Sequence, residues 1–255
     1  LRADTLPFTF TQKEWDAGRA ANDLGEAIAV LAARPQVDAA LARLGTRQVD
    51  GLVADLGICS AQLDDPERGL SFQQDGPLDM RLDREGGPTA ADLVNRTPER
   101  ELADLLWRYG EERYSRRIAR RIKEARPLRT TKEIAELVRR CVPRDRTGRI
   151  DPATRTFQAL RIAVNDEIGA LERLLALLPD VVKPGGRVGI ISFHSLEDRL
   201  VKTAFRNSDV WLKLTKKPVT ADDDEIQNNP RARSAKLRAA RRIADVGTGK
   251  ETDAR

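Results

Sequence analysis

Residues 156 to 204 constrain the fold more than any other part of the chain. Phe157, Leu160, Val164, Ile168, Leu171, Leu174, Leu175 and Leu178 recur every three or four positions, which predicts one long amphipathic helix from Thr156 that closes at Pro179. The turn Lys183-Pro184-Gly185-Gly186 follows, then an unbroken apolar run from Arg187 to Phe193. A helix is expected from Ser195, with Asp198 three residues on as its capping-box partner. Val49 to Leu56 is a second apolar run, carrying Asp55 at its end just before Gly57. Strands that are apolar throughout and fed by helices belong to a doubly wound α/β sheet, which binds ligands beyond the carboxyl ends of its strands. Asp55 and His194 stand at two such ends.

Elsewhere the pattern changes. Glu26 to Leu44 reads as helix, interrupted at Pro35 and ended by Gly45. Leu63 to Thr97 is rich in Asp, Gly and Pro without a sustained period, and reads as an extended functional loop leading into an insertion. Helical patterns at 99–109, 114–125 and 131–140 are separated by Gly110 and Arg126-Pro127 and end in the polar turn from Pro143 to Pro152, predicting a small helical subdomain. Beyond Trp211 the chain is polar and basic, with a strand expected from Ser234 to Arg242 and a disordered tail. The expected division is therefore 1–63 and 151–242 as two parts of an α/β core, 64–150 as loop and helical insertion, and 243–255 as tail.

Composition narrows the function classes. No apolar run approaches the roughly 18 residues of a membrane helix, and Cys59 and Cys141 are too few for a disulfide scaffold, so a cytoplasmic protein without a membrane partner is expected. Lys plus Arg number 45 against 40 Asp plus Glu, so the net +5 matters only where it clusters. Arg231 to Arg242 holds six basic residues and no acidic one, and Arg113 to Lys123 forms a second cluster beside Glu111, Glu112 and Glu124. Each is either a solvated face or a nucleic-acid footprint.

Two segments carry the candidate chemistry. Asp55 to Asp65 puts an acid, a hydroxyl and an amide past one strand, although a lone acid there can equally cap a turn. Ser192 to Arg199 contains the only histidine. A Ser-His-Asp hydrolase is disfavoured because no Gly-x-Ser-x-Gly elbow occurs, and a metal site is not expected from one histidine and two widely separated cysteines.

At these residues a family resemblance becomes specific. Asp55-Leu56-Gly57, Gln62 to Gly69, Asp75 to Arg81, Pro152 to Ala159, Pro184 to Arg187, Ser192 to Arg199 and Asn229 to Ser234 occur in one order and together resemble the bacterial 16S ribosomal RNA cytosine-N4 methyltransferases, the RsmH or MraW family. The resemblance implies a class I S-adenosylmethionine-dependent, Rossmann-like α/β core with a helical insertion after the fourth strand. It implies methylation of a cytidine near the decoding centre of the small subunit, with small-subunit RNA or the 30S subunit as partner. Carried over residue by residue, Asp55 and Gln62 would contact S-adenosylmethionine. Ser60 and the Ala61 carbonyl would hold the exocyclic amine, and His194 would stack on the base or take the released proton. Asp79, Arg81, Arg155, Arg199, Arg231 and Arg233 would meet the RNA.

Three departures accompany it. The family's glycine-rich loop with a Gly-His pair has no counterpart upstream of Gly51, where Gly18, Gly25 and Gly45 stand isolated and histidine is absent. The chain opens on Leu1, and residues 1–36 match no part of the family pattern, so the expectation is a core incomplete on its N-terminal side. The active-site loop reads Cys59-Ser60-Ala61-Gln62 where the family has Ser-Ser-Pro-Gln; Ala61 keeps the carbonyl and loosens the backbone. The alternative readings are a non-catalytic RNA-binding remnant lacking the cofactor cradle, and methylation of DNA cytosine. Oligomeric state is not legible from these residues.

Overall fold

The computed structural model describes residues 27–29, 37, 41–42, 45–58, 60–143 and 151–243. Expectations for residues 1–26, most of 30–44, Cys59, the polar turn at 144–150 and the tail beyond 243 lie outside the described residues. Two compact units share the chain, one from residues up to Gly57 together with Gly169 onward, the other from Ile58 to Ile168.

The first unit is a five-stranded sheet in the order β1 (Ala27–Ala29), β2 (Val49–Asp55), β3 (Val182–Ser192), β5 (Lys236–Arg242), β4 (Trp211–Lys213). β1, β2 and β3 run parallel, and β5 is antiparallel to both β3 and β4. Leu52, Ala54, Val188 and Ile190 are buried with Leu171, Leu174 and Leu178 of the helix Glu167–Val181 and with Val201 of the helix Ser195–Ala204. Burying each Leu or Val contributes about 1.5–3 kcal/mol. Phe205 and Trp211 add a tilted ring pair with centroids 5.6 Å apart.

The second unit is helical. Glu99–Gly110, Ser115–Ala125, Thr131–Cys141 and Thr154–Asn165 close around Leu102, Leu106, Ile118, Ile122, Ile134 and Leu160. In Ser115–Ala125 the apolar stripe faces inward and puts its arginines outside, where Arg120 and Lys123 meet Glu99 and Arg121 meets Glu124. Half of that six-residue basic cluster is thus answered by acids of the protein itself. No helix among the described residues is long and apolar enough to cross a membrane.

Several expectations change. Ala27–Ala29 is a strand and not helix, because its parallel pairing with Gly51 to Val53 overrides a weak local preference. The 63–97 segment contains the 3-10 turn Pro66–Arg68 and the helix Ala90–Arg96, started by a Thr89 and Asp92 capping box. The long helix is two helices, broken at Asp166 in the left-handed region at φ 48°. β3 begins at Val182, and Lys183 to Gly186 bulge out between the Val49 and Gly51 pairings.

Candidate active-site residues

In the α/β unit, parallel pairing sets the tips of β2 and β3 side by side. Asp55 is in register with Ile191, and the next amide, Leu56 N–H, donates to the Ile191 carbonyl at 3.0 Å. The exposed Asp55 side chain and the Ser192 to His194 turn therefore stand on one rim of one sheet. Ser192 is buried and donates to the Lys236 carbonyl at 3.3 Å.

The helix after β3 begins at Ser195 as expected, but its capping box is His194 with Glu197, one residue earlier than Ser195 with Asp198. His194 is the cap: its Nδ1 accepts the Glu197 N–H at 3.3 Å, and Glu197 answers by accepting the N–H groups of Phe193 and His194 on Oε2 at 2.8 and 3.2 Å. His194 Nε2 lies 3.2 Å from Glu197 Oε1, out of line for a hydrogen bond and with no other partner among the described residues. Burial raises the pKa of Glu197, which is only 4% exposed, but the His194 contact and the two backbone N–H groups outweigh it, so the carboxylate titrates below its ordinary range. Both ring nitrogens of His194 are thus turned toward Glu197, Nδ1 to its backbone N–H and Nε2 to its carboxylate. Beside it, burial raises the pKa of Asp198, but the Arg238 fork at 2.6 and 3.2 Å outweighs that and lowers it overall.

In the helical unit, Ser60, Ala61 and Gln62 form the short helix Ser60–Asp64, with Ser60 and Ala61 exposed and Gln62 half-buried. The adjoining motifs fasten to each other through backbone. A Cβ on Gly76 would meet the Pro66 carbonyl at 2.0 Å, and one on Gly69 (φ 63°) would meet the Pro77 carbonyl at 2.0 Å, so both approaches require glycine. Met80 is wholly buried at φ 64°, a strained geometry held by Asn165, whose Nδ2 donates to the Met80 carbonyl at 2.8 Å and whose Oδ1 accepts the Leu82 N–H at 2.7 Å. Arg68 Nη2 donates to the carbonyls of Arg81 and Leu82, while its buried Nε has no partner among the described residues.

Asp79 and Arg81, expected at the RNA, engage each other. Arg81 Nε and Nη2 fork onto the two Asp79 oxygens at 2.7 and 2.9 Å, and Nη1 reaches the Gly87 carbonyl at 3.4 Å. This fork, set against partial burial, holds the Asp79 carboxyl below its ordinary range. Arg155 is exposed beside the Glu111 carbonyl at 3.4 Å; Arg199 is exposed on the helix Ser195–Ala204; and Arg231 and Arg233 are exposed on the 3-10 turn Pro230–Ser234. The residues sequence reasoning missed are Glu197, Arg68 and Asn165. His194-x-x-Glu197 has capping-box spacing, but histidine lies outside the usual capping residues. The contacts that give the other two their role run to backbone 13 to 85 residues away in sequence.

An exposed carboxylate at a strand tip fits a cationic or ribose-bearing cofactor by charge and by hydrogen bonding. The chain is 59% identical over 211 residues to the ribosomal RNA small subunit methyltransferase H of Sorangium cellulosum (strain So ce56), a match covering 82% of this chain and 67% of that protein. The same-named proteins of Acaryochloris marina (strain MBIC 11017) and Synechococcus sp. (strain JA-2-3B'a(2-13)) are 56% and 60% identical, over 78% and 77% of this chain and 67% and 62% of theirs. The matched stretch thus spans about two thirds of these relatives. The MraW methylase family matches residues 22–243, which brings residues 22–36 inside the pattern they were expected to lie outside. With parallel strand tips, a helical unit inserted between β2 and β3, and a family match along most of its length, the chain has a class I S-adenosylmethionine-dependent methyltransferase core and belongs to the MraW methylase family.

Proposed function

We propose that this chain methylates the exocyclic N4 amine of a cytidine in small-subunit ribosomal RNA, at the decoding centre, using S-adenosylmethionine. The observation that carries the reading is the register of β2 and β3, which puts the Asp55 carboxylate and the His194 turn on one rim of a parallel sheet. The names of the relatives support the substrate class.

S-adenosylmethionine, when bound, supplies an electrophilic methyl on a sulfonium. Asp55 orients that cofactor through its carboxylate and Gln62 through its amide. Ser60 Oγ and the Ala61 carbonyl accept the two N4 protons, turning the nitrogen lone pair out of conjugation and toward the methyl. Alignment of nucleophile, methyl and leaving sulfur supplies most of the rate, so no strong base is needed. With Nδ1 engaged by the helix cap, His194 acts as a wall that positions the unstacked base, and the N4 proton leaves to water. Asp79 holds Arg81, and with it the 75–81 loop, while Arg155, Arg199, Arg231 and Arg233 meet RNA phosphates.

The test incubates the full chain with labelled S-adenosylmethionine and small-subunit RNA or 30S subunits and identifies the modified nucleoside by mass spectrometry. N4-methylcytidine is the expected product, lost with Asp55→Ala, and His194→Ala is expected to lower turnover more than RNA affinity. No calorimetric binding of millimolar S-adenosylmethionine, with RNA binding retained, would assign the chain to RNA binding alone. Preferential turnover of duplex DNA would overturn the substrate.

A further inference from the structure

Five cationic side chains from four segments of the α/β unit converge on a hollow of about 110 Å³. Lys202 and Arg206 come from the end of the helix Ser195–Ala204, Lys213 from β4, Lys216 from the bend after it, and Arg238 from β5. No carboxylate lines the hollow. Among the described residues Lys202, Arg206, Lys213 and Lys216 form no ion pair, although the charge of Lys202 is felt at the Asp198 carboxylate; Arg120, Arg121 and Lys123 of Ser115–Ala125, by contrast, are each paired with an acid. Arg238 is 8% exposed and fixed by its fork on Asp198, which leaves Nη1 without a protein partner among the described residues. Thr215 Oγ1 accepts the Ala239 N–H at 3.0 Å and so ties the bend that carries Lys216 to β5.

Cations at the end of a helix are favoured by its dipole, which accounts for Lys202 and Arg206. It does not account for Lys213 and Lys216, which reach the same place from β4 and the bend after it; with the Asp198 carboxylate already taken up by Arg238, they repel the first two unless a further anion lies among them. A phosphate, with several acceptor oxygens and a full negative charge, is the ligand this donor set fits.

We propose that this hollow holds a backbone phosphate of the RNA substrate, as an anchor separate from the methyl-transfer rim. This rests on the reading of the chain as an RNA methyltransferase. Lys202 stands eight residues, about 12 Å, along the helix Ser195–Ala204 from His194, while Arg238 reaches back to Asp198 in its first turn; the contact made through Lys202, Lys213 and Lys216 thus fixes the RNA's register without touching the reacting base.

The experiment measures binding of a small-subunit RNA fragment to the full chain by fluorescence anisotropy across a KCl series, with Lys213→Ala/Lys216→Ala and Lys213→Glu/Lys216→Glu beside the unaltered chain. Losing two phosphate contacts is expected to make the slope of log K against log salt shallower by about 1.6 and to weaken binding about tenfold near 0.1 M salt. Charge reversal is expected to weaken it further, while turnover at saturating RNA stays unchanged. Unchanged slopes in both variants, with unchanged circular dichroism, would overturn the proposal and leave methyl transfer standing. Lost slope in variants of a chain that transfers no methyl group would retain the anchor and remove the enzyme reading. Inorganic phosphate is the second arm. If it raises the melting temperature of the unaltered chain and not of the variants, while RNA slopes stay equal, the hollow takes a free anion and the RNA assignment falls. Absence of any salt-dependent RNA binding by the unaltered chain overturns it as well.

Discussion

The loop at 65–82 in the helical unit and the turn at 192–198 in the α/β unit are held by different physics. The loop is fixed by sterics: two carbonyls seated on glycine Cα atoms, a left-handed buried Met80, and an amide side chain from Asn165 closing the backbone. The turn is fixed by charge, through one buried carboxylate, Glu197, which accepts two backbone N–H groups and faces an imidazole. A steric lock is insensitive to pH and intolerant of a single methyl. An electrostatic one tolerates volume and yields to protonation.

The largest effect is expected at the steric lock. Gly76→Ala or Gly69→Ala places a methyl 2.0 Å from a carbonyl, and urea unfolding is expected to show a loss of about 3 kcal/mol or more. A loss under about 1 kcal/mol would mean the two segments are not locked. Glu197→Gln keeps the volume and removes the charge, for an expected loss of about 2 kcal/mol. Because the folded pKa of Glu197 is depressed, its contribution is complete above the ordinary 4.5 and is lost as pH falls through the lower folded value. Stability measured from pH 7 to 3 should therefore fall less steeply in the variant, and parallel curves would show that the charge is not what holds the turn. Asp79→Asn, which loosens the Arg81 fork, is expected to cost about 1 kcal/mol after allowance for partial exposure. Its acid dependence has the same sign, beginning below the ordinary 3.8. Least affected is Arg155→Ala, with stability within about 0.5 kcal/mol and the salt slope of RNA binding shallower by about 0.8. An unchanged slope would mark Arg155 as a bystander.

What sequence revealed follows the range of the forces involved. The 3.6-residue period of Leu102, Leu106, Ile118, Ile122 and Ile134, and the apolar runs ending at Asp55 and Ser192, are local signals, and the helices and strand tips they mark are present. Asp166 breaks a helix without Gly or Pro, and the apolar period runs on through the break, so nothing local announced it. Ala27–Ala29 becomes a strand only because β2 pairs with it. The Thr89-x-x-Asp92 capping box was legible but lay inside a segment judged by its Asp, Gly and Pro content. At the candidate site, Asp55, Ser60, Gln62 and His194 could be singled out from residue type and resemblance. The cap formed by His194, the buried role of Glu197 and the mutual fork of Asp79 and Arg81 depend on side-chain direction, which a sequence does not carry.

The place of β5 has a consequence for how the chain matures. β5 comes last among the described strands yet lies between β3 and β4, bonded to both. Synthesis delivers residues in order, so until 236–242 emerge, Trp211–Lys213 lacks its neighbour and the flank of β3 stays open to any extended peptide that meets it. Completion of the sheet is thus a late, single insertion, and a nascent chain halted short of it is the form most exposed to wrong partners.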